Sequence, residues 1–172
     1  MQDYDDLINR IKHHDDQAFA LLYDETRYSV FAIIIAIVKN RHVTEDLMQD
    51  TYMNMLKKLH QFNGQVHFKT WLLTIARNLA IDHYRRSLKS TTIDIQEQEY
   101  LLPIHEDKIE EKMEFEMYLN LLNDEERQIV LLKTVDGMKH HEIASLLAKP
   151  TGTIMWIYNR AIKKMRKLGK ED

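Results

Sequence analysis

The chain has 172 residues, of which 44% are hydrophobic and 30% are charged, so it is long enough for one ordinary domain or two small ones of a globular protein. The absence of cysteine excludes disulfides, thiolate zinc sites and a catalytic cysteine. The longest apolar run, Val30 to Val38, is far shorter than the roughly 20 residues of a membrane span, and no signal segment opens the chain, so we expect a cytoplasmic protein with no membrane span.

Charge is distributed unevenly along the chain, although the formal net charge is only −3. Acidic residues crowd the start and the middle, whereas cations gather at Arg77 to Lys89 and again at Arg160 to Lys170. Two basic patches separated by an acidic belt favour an anionic partner such as nucleic acid. For any single charge run, the alternative interpretation is a solvated helix face.

The N-terminal half is predicted to be helical. With 4 glycines, 2 prolines, apolar residues at helical spacing and no alternating strand pattern, the sequence indicates an all-α protein. The first helix is predicted over Tyr4–Lys12 and the second over Asp16–Val38. A third is predicted from Thr44, whose hydroxyl would cap it, to about His60.

A loop around Gly64, which is free to take positive φ, should precede a fourth helix, Phe68–Arg86. Helical spacing predicts that its core-facing side chains are Leu72, Ile75, Ala76, Leu79 and Tyr84. The side chains left for solvent or a ligand are Arg77, Asn78, His83, Arg85 and Arg86. Because phosphates attract cations, and unstacked bases stack on flat rings and pair with amide edges, this helix suits the binding of a single DNA strand.

Periodicity fades from Ser87 to about Ile109, where the composition is typical of a linker. We therefore predict two small helical domains, at 1–90 and 110–172, joined by a flexible linker at 91–109. In the second domain, Asn123 and Glu126 predict a capping box that opens a helix ending at Gly137.

Two further helices are predicted over Lys139–Ala148 and Thr151–Leu168, joined by a short turn containing Pro150. The pair has the spacing of a helix-turn-helix. A small residue, Ala144, stands where the helices must approach closely, and Ile154 and Ile157 stand where the second helix packs on the first. Two amphipathic helices with a short turn also occur in plain helical bundles.

Both halves together resemble a bacterial sigma factor of the extracytoplasmic function (ECF) type. The N-terminal half resembles region two of that family through EDLMQDTY, which starts at Glu45, and FKTWLLTIARNLAID, which starts at Phe68. The C-terminal half resembles region four through LNDEER, which starts at Leu122, and through Glu142-Ile-Ala and Gly152-Thr-Ile. The resemblance implies a protein that binds core RNA polymerase, through its β′ and β subunits, and promoter DNA. An anti-sigma factor is a further implied partner.

The resemblance implies that the third helix docks on the coiled coil of the polymerase β′ subunit. The residues in this role would be Glu45, Asp46, Gln49 and Asp50. The inward-facing residues of the same helix would be Met48, Tyr52, Met55, Leu56 and Leu59. Acidic and amide groups suit a basic partner helix, and the alternative is a solvated acidic stripe.

The resemblance also implies that region two captures bases flipped out of the non-template strand at the minus-ten element. The residues in this role would be Phe62, Asn63, Trp71, Arg77, Asn78, Arg85 and Arg86. An amide such as that of Asn78 would read a base edge, and the arginines would contact phosphates. Trp71 has a second interpretation, since its spacing also suits an anchor of the core.

Region four departs from the family pattern. The family usually places Lys or Arg, then Ser, then Arg after the Gly-Thr-Val step of its recognition helix, whereas this chain continues with Ile154-Met-Trp-Ile. Ala148 replaces the turn glycine, which would cost about 1 kcal/mol in a left-handed conformation. The residues expected at the minus-thirty-five element are Thr153, Met155, Trp156, Asn159, Arg160 and Lys163.

Three explanations for Met155 and Trp156 remain open. In the first, they contact thymine methyl groups, and Asn159 and Arg160 supply polar readout. In the second, they form an apolar patch for a protein partner. In the third, they are buried in a shifted packing. The second explanation corresponds to a sigma-like regulator whose recognition helix binds a protein rather than DNA.

The sequence offers no phosphate loop, nucleophile elbow or paired carboxylates, and we expect neither a cofactor nor enzymatic activity. The clusters His13-His-Asp-Asp and His140-His-Glu invite a metal-dependent hydrolase as a rival hypothesis. However, adjacent residues on a helix point to different faces, and no zincin spacing follows. We therefore predict no metal.

Overall fold

The computed structural model of the protein describes residues 4–65, 67–89, 117–134 and 137–168. All regular secondary structure in these ranges is helical, which confirms the predicted all-α class. The predicted linker at 91–109 lies outside the described residues. None of the described helices is both long enough and apolar enough to cross a bilayer.

Four α-helices form the N-terminal half. They are α1 (Tyr4–Lys12), α2 (Asp16–Val38), α3 (Arg41–Lys58) and α4 (Phe68–Lys89). A 3-10 turn, Leu59–Gln61, follows α3. The predicted limits of α1 and α2 are confirmed, and α4 continues past its predicted end at Arg86.

The start of α3 differs from the prediction. The helix is capped by Asn40, whose Oδ1 accepts a hydrogen bond from the backbone N–H of Val43 at 3.0 Å. Thr44 lies inside the first turn, where its hydroxyl donates to the carbonyl oxygen of Asn40 at 2.7 Å. The prediction that Thr44 caps the helix was wrong because asparagine is the stronger N-cap and stands one turn earlier.

Helix α2 is buried on all sides over its C-terminal half. Val30, Ile33 and Ile34 pack with α1, α3 and α4 in one core cluster. Phe31 and Ile35 face the other way and pack in a second cluster. A helix that is apolar all round needs partners on every face, so the apolar run noted in the sequence is explained by its central position in the fold.

The second cluster joins the two halves of the chain. It contains Phe31, Ala32, Ile35 and Ala36 from α2 together with Leu119, Leu122, Val130, Leu131 and Ala161 from the C-terminal half. We call this contact the α2 seam. At its edge, Nζ of Lys39 lies 2.6 Å from Oδ1 of Asp124.

The C-terminal half contains a helical turn at 117–120, followed by α5 (Asp124–Thr134), α6 (His140–Leu147) and α7 (Thr151–Leu168). The predicted capping box is confirmed: Oδ1 of Asn123 accepts from the N–H of Glu126 at 2.8 Å, and Oε2 of Glu126 accepts from the N–H of Asn123 at 3.1 Å. Helix α5 ends at Thr134, three residues before its predicted end at Gly137, and Gly137 itself has φ of 66°.

Ala148 ends α6 in the left-handed conformation, with φ of 51° and ψ of 47°. Its N–H and that of Lys149 donate to carbonyl oxygens in the last turn of α6. The turn therefore keeps the geometry that usually requires glycine, at the steric cost that the sequence predicts.

Candidate functional site

The outer face of α3 carries the predicted polymerase-binding residues. Glu45, Asp46, Gln49 and Asp50 are all exposed, whereas Leu47, Thr51, Tyr52 and Met55 of the opposite face are buried. Oε1 of Glu45 also accepts from Nε of Arg41 at 2.8 Å. The structure thus brings the acidic and amide groups together on one accessible surface.

The predicted inward orientation of Leu56 on this helix was wrong. Leu56 is 39% exposed. Met53 is exposed as well and lies one helical turn beyond Gln49 and Asp50. The outer face of α3 therefore continues from acidic to apolar along the helix.

A buried hydroxyl pair holds α3 against α2. The oxygen atoms of Tyr52 and Thr26 are 2.8 Å apart, and the Thr26 hydroxyl donates to the carbonyl oxygen of Leu22 at 2.7 Å. Since Thr26 has only one proton, Tyr52 is the donor between them. Burial raises the pKa of Tyr52, so that the phenol stays protonated and keeps donating.

Helices α3 and α4 enclose an open groove of about 490 Å³. Trp71 and Asn78, two of the predicted minus-ten residues, both line it. We call it the α3–α4 groove; its other polar lining residues are Asn54, Lys58, Gln61, Thr74 and Asp82. The groove therefore combines an aromatic ring with several groups that donate and accept hydrogen bonds.

The aromatic wall of this groove continues into the preceding loop. The rings of Phe62, Phe68 and Trp71 lie 5.2 to 5.7 Å apart by their centroids. Trp71 is half-buried, so it both anchors the core and presents part of its ring to the groove. Asn63 is exposed, and its Oδ1 accepts from the N–H of Gln65 at 3.1 Å.

The predicted arginines do not all share the face of Trp71 and Asn78. Arg85 and Arg86 are exposed near the end of α4. Arg77 points away from the groove into a separate crevice of about 230 Å³, where Asp124 and Glu125 of α5 also lie. Its Nε is buried without a hydrogen-bond partner among the described residues. Arg77 thus faces the C-terminal half in this arrangement of the chain.

Helices α6 and α7 pack as the sequence predicts. Ala144, Ile154 and Ile157 are buried between them. On the outer side of α7, Met155 is 46% exposed and Trp156 is 60% exposed. These exposures exclude the explanation that the two residues are buried in a shifted packing. Thr153, Asn159 and Lys163 are exposed as well.

Glu126 joins α5 to α7. Its side chain is fully buried, and its two oxygens accept from Nε of Arg160 and Nζ of Lys164, each at 2.7 Å. Burial alone would raise the pKa of Glu126, but the hydrogen bonds from Lys164, the backbone of Asn123 and Arg160 outweigh it and hold the pKa below its usual value. Arg160 also lies over the ring of Trp156, 4.5 Å from its centroid.

Comparison with known proteins identifies the family. The model of Sigma-70 region 2 matches residues 22–89, and that of Sigma-70 region 4 matches residues 112–165. The ECF RNA polymerase sigma factor SigX of Bacillus subtilis is 30% identical over 164 residues, which cover 88% of this chain and 84% of SigX. The chain belongs to the ECF RNA polymerase sigma factors. Members of this family are not enzymes.

Further relatives agree with this assignment. The ECF sigma factor BldN of Streptomyces coelicolor is 29% identical over 174 residues, which cover 97% of this chain and 66% of BldN. The solved structure of the sigma factor RpoE of Bartonella quintana, in complex with the anti-sigma factor NepR, superposes with a TM-score of 0.74 at 25% identity. That match covers 90% of this chain and 98% of RpoE.

Sequence reasoning missed two features of this sigma factor. Asn54, Lys58 and Gln61 line the α3–α4 groove, and no local sequence pattern marks them, because apolar residues separate them along the end of α3 and the following turn. The contact of Glu126 with Arg160 was also missed, because it joins residues on separate helices and has no local sequence pattern.

Proposed function

We propose that this sigma factor binds core RNA polymerase through the outer face of α3 and captures the melted non-template strand in the α3–α4 groove. The polymerase supplies the catalysis, and the sigma factor favours open DNA over closed duplex. We assign region two to residues 1–90, a linker to 91–109 and region four to 110–172, and we place the protein in the cytoplasm with its polymerase. The observation that carries the proposal is that Trp71 and Asn78 line one groove.

Charge supports the polymerase contact. Asp46 and Asp50 stand exposed on one face of α3, where a basic partner helix of the β′ subunit would find complementary charge. Met53 and Leu56 extend that face with apolar surface that only a partner would remove from water. A contact of this kind combines charge complementarity at its rim with apolar anchors.

The polymerase contact is tested by reversing the charge of Asp46 and Asp50. The double change to lysine should weaken the affinity for core polymerase at least about tenfold, because like charges would then face each other. The double change of Asp5 and Asp6 to lysine is the matched control, since both are exposed on α1 and the change in net charge is the same. Co-elution of the double variant with core polymerase at wild-type affinity would remove the assignment.

The shape and chemistry of the groove support strand capture. A base that leaves the duplex loses stacking and pairing worth a few kcal/mol. The ring of Trp71 offers a surface for stacking, and the amide of Asn78 offers both a donor and an acceptor to a base edge. Arg85 and Arg86, exposed farther along α4, supply charge for the phosphates.

Asn78→Ala tests this assignment in reconstituted holoenzyme. We expect fewer permanganate-reactive thymines in the minus-ten region, while binding to core polymerase stays unchanged, because Asn78 lies on the groove and not on the outer face of α3. Asn9→Ala is the matched control, since Asn9 is an exposed asparagine on α1. Wild-type reactivity in the Asn78 variant would remove the base-capture role.

An anti-sigma factor is a further proposed partner. RpoE of Bartonella quintana, which is similar over 90% of this chain, was solved in complex with one. A protein that covers the outer face of α3 would exclude polymerase from this chain.

The exposure of Met155 and Trp156 also favours a second candidate function, a sigma-like regulator whose α7 binds a protein instead of DNA. Footprinting with holoenzyme separates the two functions. Protection of both promoter elements supports the sigma factor, and protection of the minus-ten element alone supports the regulator. The hydrolase hypothesis has no support, since no group of three or more His, Asp or Glu among the described residues is placed to hold a metal ion.

A further inference from the structure

Met155 and Trp156 form an exposed apolar patch at the start of α7. They are 46% and 60% exposed, although both are among the largest apolar side chains of the chain. Along the helix, Asn159 and Lys163 follow Met155 at intervals of four residues and are exposed on the same side. The patch therefore belongs to a continuous outer surface that changes from apolar to cationic along α7.

The ring of Trp156 is held in place despite its exposure. The guanidinium of Arg160 lies over it at 4.5 Å, and Nε of the same group donates to the fully buried Glu126 at 2.7 Å. The capping box with Asn123 fixes Glu126 in turn. Ordering an exposed side chain costs conformational entropy. Because these contacts already order the ring of Trp156 in the free protein, a partner that binds the ring loses less entropy. Arg160 is thus a positioning residue for the Trp156 ring.

The charge of α7 indicates which class of partner binds its outer surface. Between Thr151 and Leu168 the helix carries five cations and no acidic residue: Arg160, Lys163, Lys164, Arg166 and Lys167. Arg160 and Lys164 are engaged by Glu126, and the described side chains of Lys163, Arg166 and Lys167 are exposed. The major groove of DNA is about 12 Å wide and admits an α-helix, while flanking phosphates attract such cations.

Inside a major groove, a thioether and the face of an indole have few suitable contacts. The edges of the bases present hydrogen-bonding groups, and the C5-methyl group of thymine is the apolar exception. We propose that Met155 and Trp156 select a thymine-bearing minus-thirty-five element by apolar contact with thymine methyl groups. This specificity replaces the hydrogen-bonding side chains that the family usually places there, and it rests on the proposed function as a sigma factor.

Deoxyuridine substitution tests the contact directly, because deoxyuridine keeps the base pairing of thymidine and lacks only the methyl group. The probe is a promoter duplex enriched by wild-type holoenzyme from a library randomised over the upstream element. Each thymidine of that element is then replaced singly by deoxyuridine. We expect enrichment of thymine, and about fourfold weaker binding for each methyl group that is in contact, which corresponds to the burial of one methyl-sized group.

The variants Met155→Ala and Trp156→Ala should each bind the thymidine and deoxyuridine probes with nearly equal affinity at the position that each residue reads. Met117→Ala is the matched control, since Met117 is exposed outside α7 and should keep the wild-type preference. Circular dichroism checks the fold of each variant. Should one fail to fold, the comparison of the two probes with wild-type holoenzyme still decides.

Three outcomes would overturn the proposal. Equal binding of both probes by wild-type holoenzyme that still opens the minus-ten region rejects methyl readout and leaves the proposed function intact. Failure of the chain to bind core polymerase rejects the proposed function and the inference with it. If Trp156→Ala keeps the preference for thymidine and instead loses a purified protein partner, α7 is a protein interface.

Discussion

Nζ of Lys39, at the end of α2, lies 2.6 Å from Oδ1 of Asp124, at the start of α5. The two residues belong to opposite halves of the chain, and the pair stands at the edge of the α2 seam. Asp124 also accepts from Arg127 at 3.0 Å. Because Asp124 is half exposed, the pair orients the contact, while the apolar seam supplies most of its free energy.

The seam can be tested by comparing Ile35→Ala with Lys39→Ala. Ile35 is fully buried in the seam, and its truncation should lower the free energy of unfolding by about 2 to 5 kcal/mol. Loss of the Lys39 ion pair should cost less than about 1 kcal/mol. Urea unfolding followed by circular dichroism gives both values. Equal costs would mean that the ion pair contributes as much to the contact as apolar burial does, which would contradict this assignment.

The buried carboxylate of Glu126 predicts a dependence of stability on pH. Its folded pKa is lowered from 4.5, so its contribution is fully present above that value and is lost as the pH falls through the folded pKa. Glu126→Gln should lower the free energy of unfolding at pH 7 by about 1 to 3 kcal/mol. Below pH 4.5, the free energy of unfolding of this variant should decrease less steeply with falling pH than that of the wild type.

Unfolding curves at a series of pH values measure this effect. Glu125→Gln is the neighbouring control: its ion pair with Lys149 is partly exposed, so its loss should cost less than about 1 kcal/mol at pH 7. If the free energy of unfolding of Glu126→Gln falls with pH as steeply as that of the wild type, Glu126 is not the group responsible for the pH dependence.

Ala148→Gly should stabilise the protein by about 1 kcal/mol, because glycine removes the steric cost of the left-handed conformation at φ of 51°. The matched control is Ala20→Gly in the exposed interior of α2, which should destabilise by a similar amount. Thermal unfolding shows whether each change raises or lowers the stability of the protein. Destabilisation by both changes would contradict the strain argument.

Tyr52→Phe should destabilise the packing of α3 on α2 by about 1 kcal/mol. The change leaves the hydroxyl of Thr26 bonded to the carbonyl of Leu22 and removes only the bond from Tyr52 at 2.8 Å. Tyr84 was predicted to face the core, but it is 39% exposed on α4, so Tyr84→Phe should stay within about 0.5 kcal/mol of the wild type in chemical denaturation. A neutral Tyr52 variant would mean that ring packing alone holds the two helices.

Local chemistry in the sequence determined the helices and their ends. The limits of α1, α2 and α7, the capping box of Asn123 with Glu126, and the left-handed residue Ala148 depend on side chains within a few positions of one another. The predicted N-cap of α3 was wrong, because Asn40 caps this helix and Thr44 does not. The acidic face of α3 was predicted through the resemblance to the sigma-factor family, and the structure leaves its residues exposed.

Only the tertiary structure decided which faces meet. Helical spacing could not tell that Leu56 lies outside the core, that Arg77 turns toward α5, or that Asn54 and Gln61 join Trp71 and Asn78 in one groove. The contact of Arg160 with Glu126, which holds the ring of Trp156, likewise joins separate helices. Such contacts depend on the relative placement of whole helices, which is set by the burial of α2 against both halves of the chain and has no short-range signature in the sequence.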